Sequence, residues 1–142
     1  MDSSFLLLSH YSSKSHFLKM SKNFTQNRSI EKTTKSKIMK LFTKEIEKKA
    51  QAQFPNGNNL ESQVVVAKFF NPTGAGTWYL MNQDPNDADY LWGICHIFEW
   101  EMGSFSKSEL ENFKGRMGLG IERDLYFTEV NSKELWEKLM KR

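Results

Sequence analysis

This chain lacks the usual covalent braces, membrane anchors and catalytic signatures. It has one cysteine, Cys95, so no internal disulfide can form, and no ligand cluster surrounds that residue in sequence. A reducing, cytoplasmic setting is the expectation. No run approaches the roughly 18 apolar residues of a membrane helix. The run Phe5-Leu6-Leu7-Leu8 is too short for a signal-peptide core, and no small-residue cleavage pattern follows it. Of the three histidines, His10 and His16 fall near the start and His96 far away, so local spacing builds no zinc site. Asp84, Asp87 and Asp89 fail as a calcium loop, because the required glycine is missing and Cys95 stands where a bidentate glutamate is needed.

Phosphate-loop signatures are also missing. Gly74-Ala75-Gly76 follows a strand pattern but leads into another strand, with no Gly-Lys-Ser/Thr after it. Gly115, Gly118 and Gly120 run in the reverse of the dinucleotide fingerprint and again precede a strand. These glycines read as turns, and no cofactor or metal is expected.

At 142 residues the chain fits one domain with a single core. Aromatic residues make up 13%, with four Trp and eleven Phe, so large rings should dominate that core. The net charge of +3 is unevenly placed. Residues 1–38 hold seven Lys and Arg against two acids (+5), and the remainder holds thirteen against fifteen (−2). The basic character therefore belongs to an N-terminal segment, and the rest is near neutral.

Residues 1–38 are rich in Ser, Lys, Thr and Asn and carry no sustained amphipathic period, which reads as a disordered extension. A mitochondrial-type leader shares the Ser-rich, acid-poor composition, yet this segment has a single arginine. Met1, Met20 and Met39 are alternative starts. Residues 39–142 read as the folded unit.

The first helix follows from Phe42, Ile46, Ala50 and Phe54 recurring every four residues, with Thr43 as N-cap and Pro55-Asn56-Gly57 as the stop. Val64–Phe70 and Thr77–Met81 read as a hairpin. A third strand is expected from Tyr90 to about Trp100, apolar on both faces and hence central. Ser106-Lys107-Ser108-Glu109 is a capping box opening a helix to about Lys114. Leu125–Glu129 reads as a fourth strand, and Asn131 or Ser132 caps a last helix with Leu135, Trp136 and Leu139 on one face. The expected class is α+β, in the order α-β-β-β-α-β-α. It is a single small domain, with a mostly antiparallel four-stranded sheet and helices packed on it.

Four stretches carry a family resemblance: Met39-Lys-Leu-Phe-Thr-Lys-Glu-Ile, Gly76-Thr-Trp-Tyr79, Asp89-Tyr-Leu-Trp-Gly93 and Gly118-Leu-Gly-Ile-Glu-Arg-Asp-Leu-Tyr-Phe127. In this order they resemble a family of short bacterial proteins catalogued only as a domain of unknown function. Members are frequently encoded on plasmids, conjugative elements and phages. The resemblance spans residues 39–142 and implies a compact α+β fold in a mobile-element context. It implies no activity.

Glu122, Arg123 and Asp124 form the densest charged group beside special backbone residues. Arg123 reads either as an ion-pair anchor for Glu99 or Glu101 or as a bidentate ligand for an anion. Glu122 and Asp124 should share one side of a strand and Arg123 the other. Trp78, Tyr79, Trp92 and Trp100 are candidate surface anchors for a partner. His96 and Cys95, adjacent on a strand, point to opposite faces and form no dyad. Nothing in the sequence sets two carboxylates across a cleft for acid–base work.

The expected function is a non-enzymatic binding module of a mobile genetic element, acting on a host protein or small ligand, with counter-defence as one such role. Two alternatives are an auxiliary nucleic-acid protein using the basic tail and a small enzyme acting on an anionic substrate through Arg123.

Overall fold

The computed structural model describes residues 40–141, so the N-terminal segment and the Met39 start lie outside the described residues. The first helix, α1 (Lys44–Ala52), is capped by Thr43, whose hydroxyl accepts the Ile46 N–H at 3.2 Å. A 3-10 turn over Phe54–Asn56, with Pro55 at its start, ends it. The chain then enters β1 (Val64–Val65), β2 (Ala67–Phe70), β3 (Thr77–Asp84), β4 (Asp87–His96) and β5 (Trp100–Ser106). Next come α2 (Lys107–Asn112), β6 (Glu122–Arg123), β7 (Val130–Asn131) and α3 (Ser132–Met140).

All pairings are antiparallel. Five strands form one sheet in the order β5-β4-β3-β2-β6, and β1 pairs with β7 as a separate two-stranded ribbon. The α+β class and its helix-flanked antiparallel sheet agree with the sequence reading. The expected strand Val64–Phe70 is interrupted at Val66, and its two parts serve different sheets.

Two expected elements are corrected. The third strand does not reach Trp100. The chain bends at Ile97–Glu99 and returns as β5, with His96 opposite Trp100. The apolar alternation runs through the bend without a glycine or proline to mark it, and Phe98 is left 69% exposed. Residues 101–105, assigned to no element from the sequence, therefore belong to β5, and Ser106 both ends that strand and caps α2 as expected. Leu125–Glu129 is not a strand either. The Asp124 carboxylate accepts the Tyr126 N–H and its carbonyl accepts the Phe127 N–H, closing a turn that leaves Leu125 and Tyr126 exposed. The strands lie on either side of that turn.

Each sheet face has its own core. On one face α1 and α2 cover Phe69, Trp78, Leu80, Leu91, Cys95 and Phe105. On the other, Leu135, Trp136 and Leu139 of α3 cover Tyr79, Met81 and Ile94. Side-chain alternation along β3 and β4 assigns these two sets, which explains why both faces of β4 are apolar. Asn131 caps α3, its Oδ1 accepting from Lys133 and Glu134, and Ser106 caps α2, its Oγ accepting from Glu109.

Candidate functional site

A cleft lies at the tip of the β3–β4 hairpin. Its volume is about 530 Å³, and it is lined by Phe54, Gly57, Asn58, Asn82, Asp84, Asp87, Tyr90 and Trp92. The hairpin turn Asp84-Pro85-Asn86-Asp87 shapes one end. Asp84 Oδ1 accepts the Asn86 N–H at 2.8 Å and Asp87 Oδ1 accepts the Asp89 N–H at 3.2 Å. A register shift between Leu80 and Asn82 then brings Asn82 opposite Trp92.

The opposite wall is a loop, and buried amides hold it in place. Asn82 Nδ2 donates to the Gly57 carbonyl at 2.9 Å and to Gln63 Oε1 at 2.8 Å. Gln63 Nε2 in turn donates to the carbonyls of Gly57 and Asn59. Gln53 clamps the other side, donating to the Val64 and Met81 carbonyls while accepting the Val64 N–H. Sequence reasoning missed these residues, since amides without periodicity or motif give no local signal.

Trp92 lines the cleft with part of its ring while its indole N–H points into the protein. Its Nε1–H is shut off from solvent and has no acceptor. A buried unpaired donor costs about 1–3 kcal/mol. Asp84 and Asp87 supply carboxylates at the rim, Tyr90 is exposed, and no Lys, Arg or His lines the cleft.

The other expected site residues are spread apart. Trp78 and Tyr79, read as surface anchors, are 2% and 7% exposed and form opposite sides of the core. Each is neighboured by large rings across the strands, so the high aromatic content went into packing at these positions. Trp100 is half-buried, its ring centroid 4.5 Å from that of His96 and 5.8 Å from that of Tyr79. It sits on the β4–β5 side, away from the cleft lining.

Glu122 and Arg123 occupy the opposite sheet edge, in register with Phe70 and Phe69. Glu122 and Asp124 share one side, where Asp124 pairs with Lys68 at 3.6 Å, and Arg123 takes the other. The expected pairing of Arg123 with Glu99 or Glu101 is not made. Four strand spacings of about 4.8 Å separate β6 from β5. Arg123 instead borders a small pocket of about 120 Å³, lined also by Ile46, Val66, Ala67, Asp124, Leu125 and Phe127, and its buried Nε has no acceptor.

Beneath α1 and α2 lies a polar cluster that the sequence did not reveal. Gln83 is fully buried, donating to Glu47 Oε1 at 3.0 Å and to the Ala88 carbonyl, and accepting from Gln51. Lys107 donates to the same Glu47 oxygen at 2.6 Å. Burial pushes the Glu47 carboxyl up, but the hydrogen bonds from Lys107 and Gln83 outweigh it and leave the group below its ordinary value. This is a satisfied clamp between two helices and the sheet.

Cys95 is buried, and that burial, with the Glu101 carboxylate, pushes its thiol up to about 12. It is an inert core residue. Among the described residues, no group of three or more His, Cys, Asp or Glu side chains is placed to hold a metal ion, and no helix is long and apolar enough to cross a membrane.

Comparison with known families bears on the same region. Residues 30–141 match the family described as "Protein of unknown function (DUF2958)", a span that takes in all of the described elements. The chain belongs to that family. The DUF2958 match begins nine residues before Met39, so it takes in the end of the segment read as an appendage. No curated protein and no solved structure matches the chain. For this DUF2958 chain, function has to be argued from the cleft.

Proposed function

We propose that the protein is a non-enzymatic binding module, with its ligand or protein partner seated in the cleft beside Trp92. The observation that carries this reading is a preformed cleft of about 530 Å³ lined by the rings of Phe54, Tyr90 and Trp92 and the carboxylates of Asp84 and Asp87. The lining offers rings and carboxylates but no nucleophile–base pair, and the one thiol is inert, which supports binding over catalysis. A bacterial mobile-element context and a counter-defence role are part of the same proposal and rest on the family resemblance alone, and a cytoplasmic setting, also part of it, rests on the single cysteine.

The test is affinity capture from a bacterial lysate with the wild-type chain and a folded Trp92→Ala variant. Loss of a stoichiometric partner or copurifying molecule in the variant supports the reading. A partner kept by Trp92→Ala but lost in Arg123→Ala moves the site to the β6 edge and overturns it.

A second reading is favoured by the +5 charge of residues 1–38, which suits phosphate contacts. It expects DNA affinity that falls steeply with salt and disappears when those residues are deleted.

A further inference from the structure

We propose that β5 is a dimerisation edge, pairing antiparallel with β5 of a second copy of this chain about a two-fold axis at Gly103. The inference is independent of what the cleft binds. It rests on which backbone groups the sheet leaves turned outward.

Hydrogen-bonding direction alternates along an antiparallel strand, so one bond sets it across the sheet. The Lys68 carbonyl accepts the Asp124 N–H at 2.9 Å, so Lys68 faces β6 and Phe69 faces β3. Trp78, opposite Phe69, then faces β2, Tyr79 faces β4, Ile94 faces β3 and Cys95 faces β5. The Leu80 carbonyl, which accepts the Val66 N–H, obeys the same alternation. The β4–β5 register is unshifted, so Glu101, Gly103 and Phe105 bond to β4. Trp100, Met102 and Ser104 turn their N–H and C=O groups away from β4. Among the described residues no strand lies beyond them.

The two edges of this sheet are built differently. β6 has two residues, both charged, and Asp124 beside it pairs with Lys68. That edge is guarded. β5 has seven residues, no proline, no lysine and one charge, Glu101. An edge of this kind is a template for another extended strand.

Self-complementarity favours a second copy as that strand. A two-fold axis at Gly103 sets Met102 opposite the second copy's Ser104, where the two residues exchange both main-chain bonds, and brings the two glycines face to face. Glu101 then faces Phe105 instead of another Glu101. Past the strand ends the same register carries the exposed Glu99 toward the second copy's Lys107. It also carries Phe98, 69% exposed, toward the second copy's Ser108. Opposite charges meet, and a bare ring gains cover.

The experiment is sedimentation equilibrium on the full chain, with amide hydrogen exchange read residue by residue. Expected is a monomer–dimer equilibrium in which the Met102 and Ser104 amides exchange about tenfold slower in the dimer than after dilution. The Glu101, Gly103 and Phe105 amides, bonded to β4, should not respond to dilution. Ser104→Pro deletes an outward N–H and no bond to β4, and should weaken association at least tenfold. Glu99→Lys changes an exposed bend residue, leaves the core untouched and should weaken association at least fivefold. Association unchanged in either folded variant overturns the proposal, as does a dimer whose Met102 and Ser104 amides exchange as fast as in the monomer. A chain that stays monomeric at every concentration overturns it too. If those two amides are nonetheless protected in that monomer, the edge belongs to residues 1–39 of the same chain.

Discussion

Gly93 sits in the middle of β4, opposite Leu80 on one side and Gly103 on the other. A methyl group added there would lie 1.9 Å from the Tyr79 carbonyl oxygen and 3.2 Å from the Met81 nitrogen. Both are backbone atoms of β3, so no side-chain rotation relieves the clash. The strands must part by roughly 1 Å or more to reach van der Waals contact. That separation weakens at least one ladder hydrogen bond, about 1 kcal/mol net. It also strains a packed core, which costs about 1–3 kcal/mol. Gly93→Ala should therefore lose about 3 kcal/mol, or roughly 12–24 °C in Tm for a domain of this size. Gly118→Ala is the control. Its φ is +72° and nothing lies within 4 Å of the added methyl, so only the left-handed backbone penalty of about 1–2 kcal/mol applies. Equilibrium urea unfolding followed by tryptophan fluorescence measures both. If Gly93→Ala is no less stable than Gly118→Ala, the close approach of β3 to β4 does not exist as described.

Three further outcomes are expected. Ser106→Ala removes both the α2 cap and a 2.8 Å hydrogen bond to Asp89 Oδ2, and should cost about 1–2 kcal/mol; an unchanged urea midpoint would transfer the cap to Ser108. Burial pushes Asp89 up, but the Ser108 N–H, the two serine hydroxyls and Lys107 outweigh it, so Asp89, like Glu47, ends below its ordinary value. Such groups add stability above the unfolded carboxylate range of about 4, and that stability is lost as pH falls through the depressed folded values. Asp89→Asn should therefore be less stable at pH 7 and show a flatter acid limb in urea midpoints measured from pH 7 to pH 3; parallel limbs would refute this. Native Cys95 should resist a thiol reagent until the protein unfolds, and labelling at the rate of an exposed thiol would contradict its buried position.

Much of the fold was legible because the signals were local. Thr43, Ser106 and Asn131 each announced a helix start, and the spacing of Phe42, Ile46 and Ala50 gave the face of α1. What escaped was decided by tertiary pairing. Nothing in Ile97-Phe98-Glu99 marks a bend, because β5 is folded back by its ladder with β4 rather than by turn chemistry. The break at Val66 likewise arises from β7, which is more than sixty residues away in sequence. At the site, Trp92 could be singled out as a large ring. Asn82, Gln63 and Gln53 could not, because their importance lies in which carbonyls they reach after the chain has folded.

The split of Val64–Phe70 between two sheets also sets the order in which the molecule can assemble. The meander β3-β4-β5 needs only neighbouring residues and can close early, whereas β1 must wait for β7. Synthesis runs from the N-terminus, so the ribosome releases Tyr79, Met81 and Ile94 well before Leu135, Trp136 and Leu139, which shield them. Over that interval the nascent chain displays a greasy sheet surface beside an unpaired β1. Helix α3 therefore acts as a latch. Chaperone dependence and aggregation during expression should track the docking of α3 more closely than the strength of the larger core.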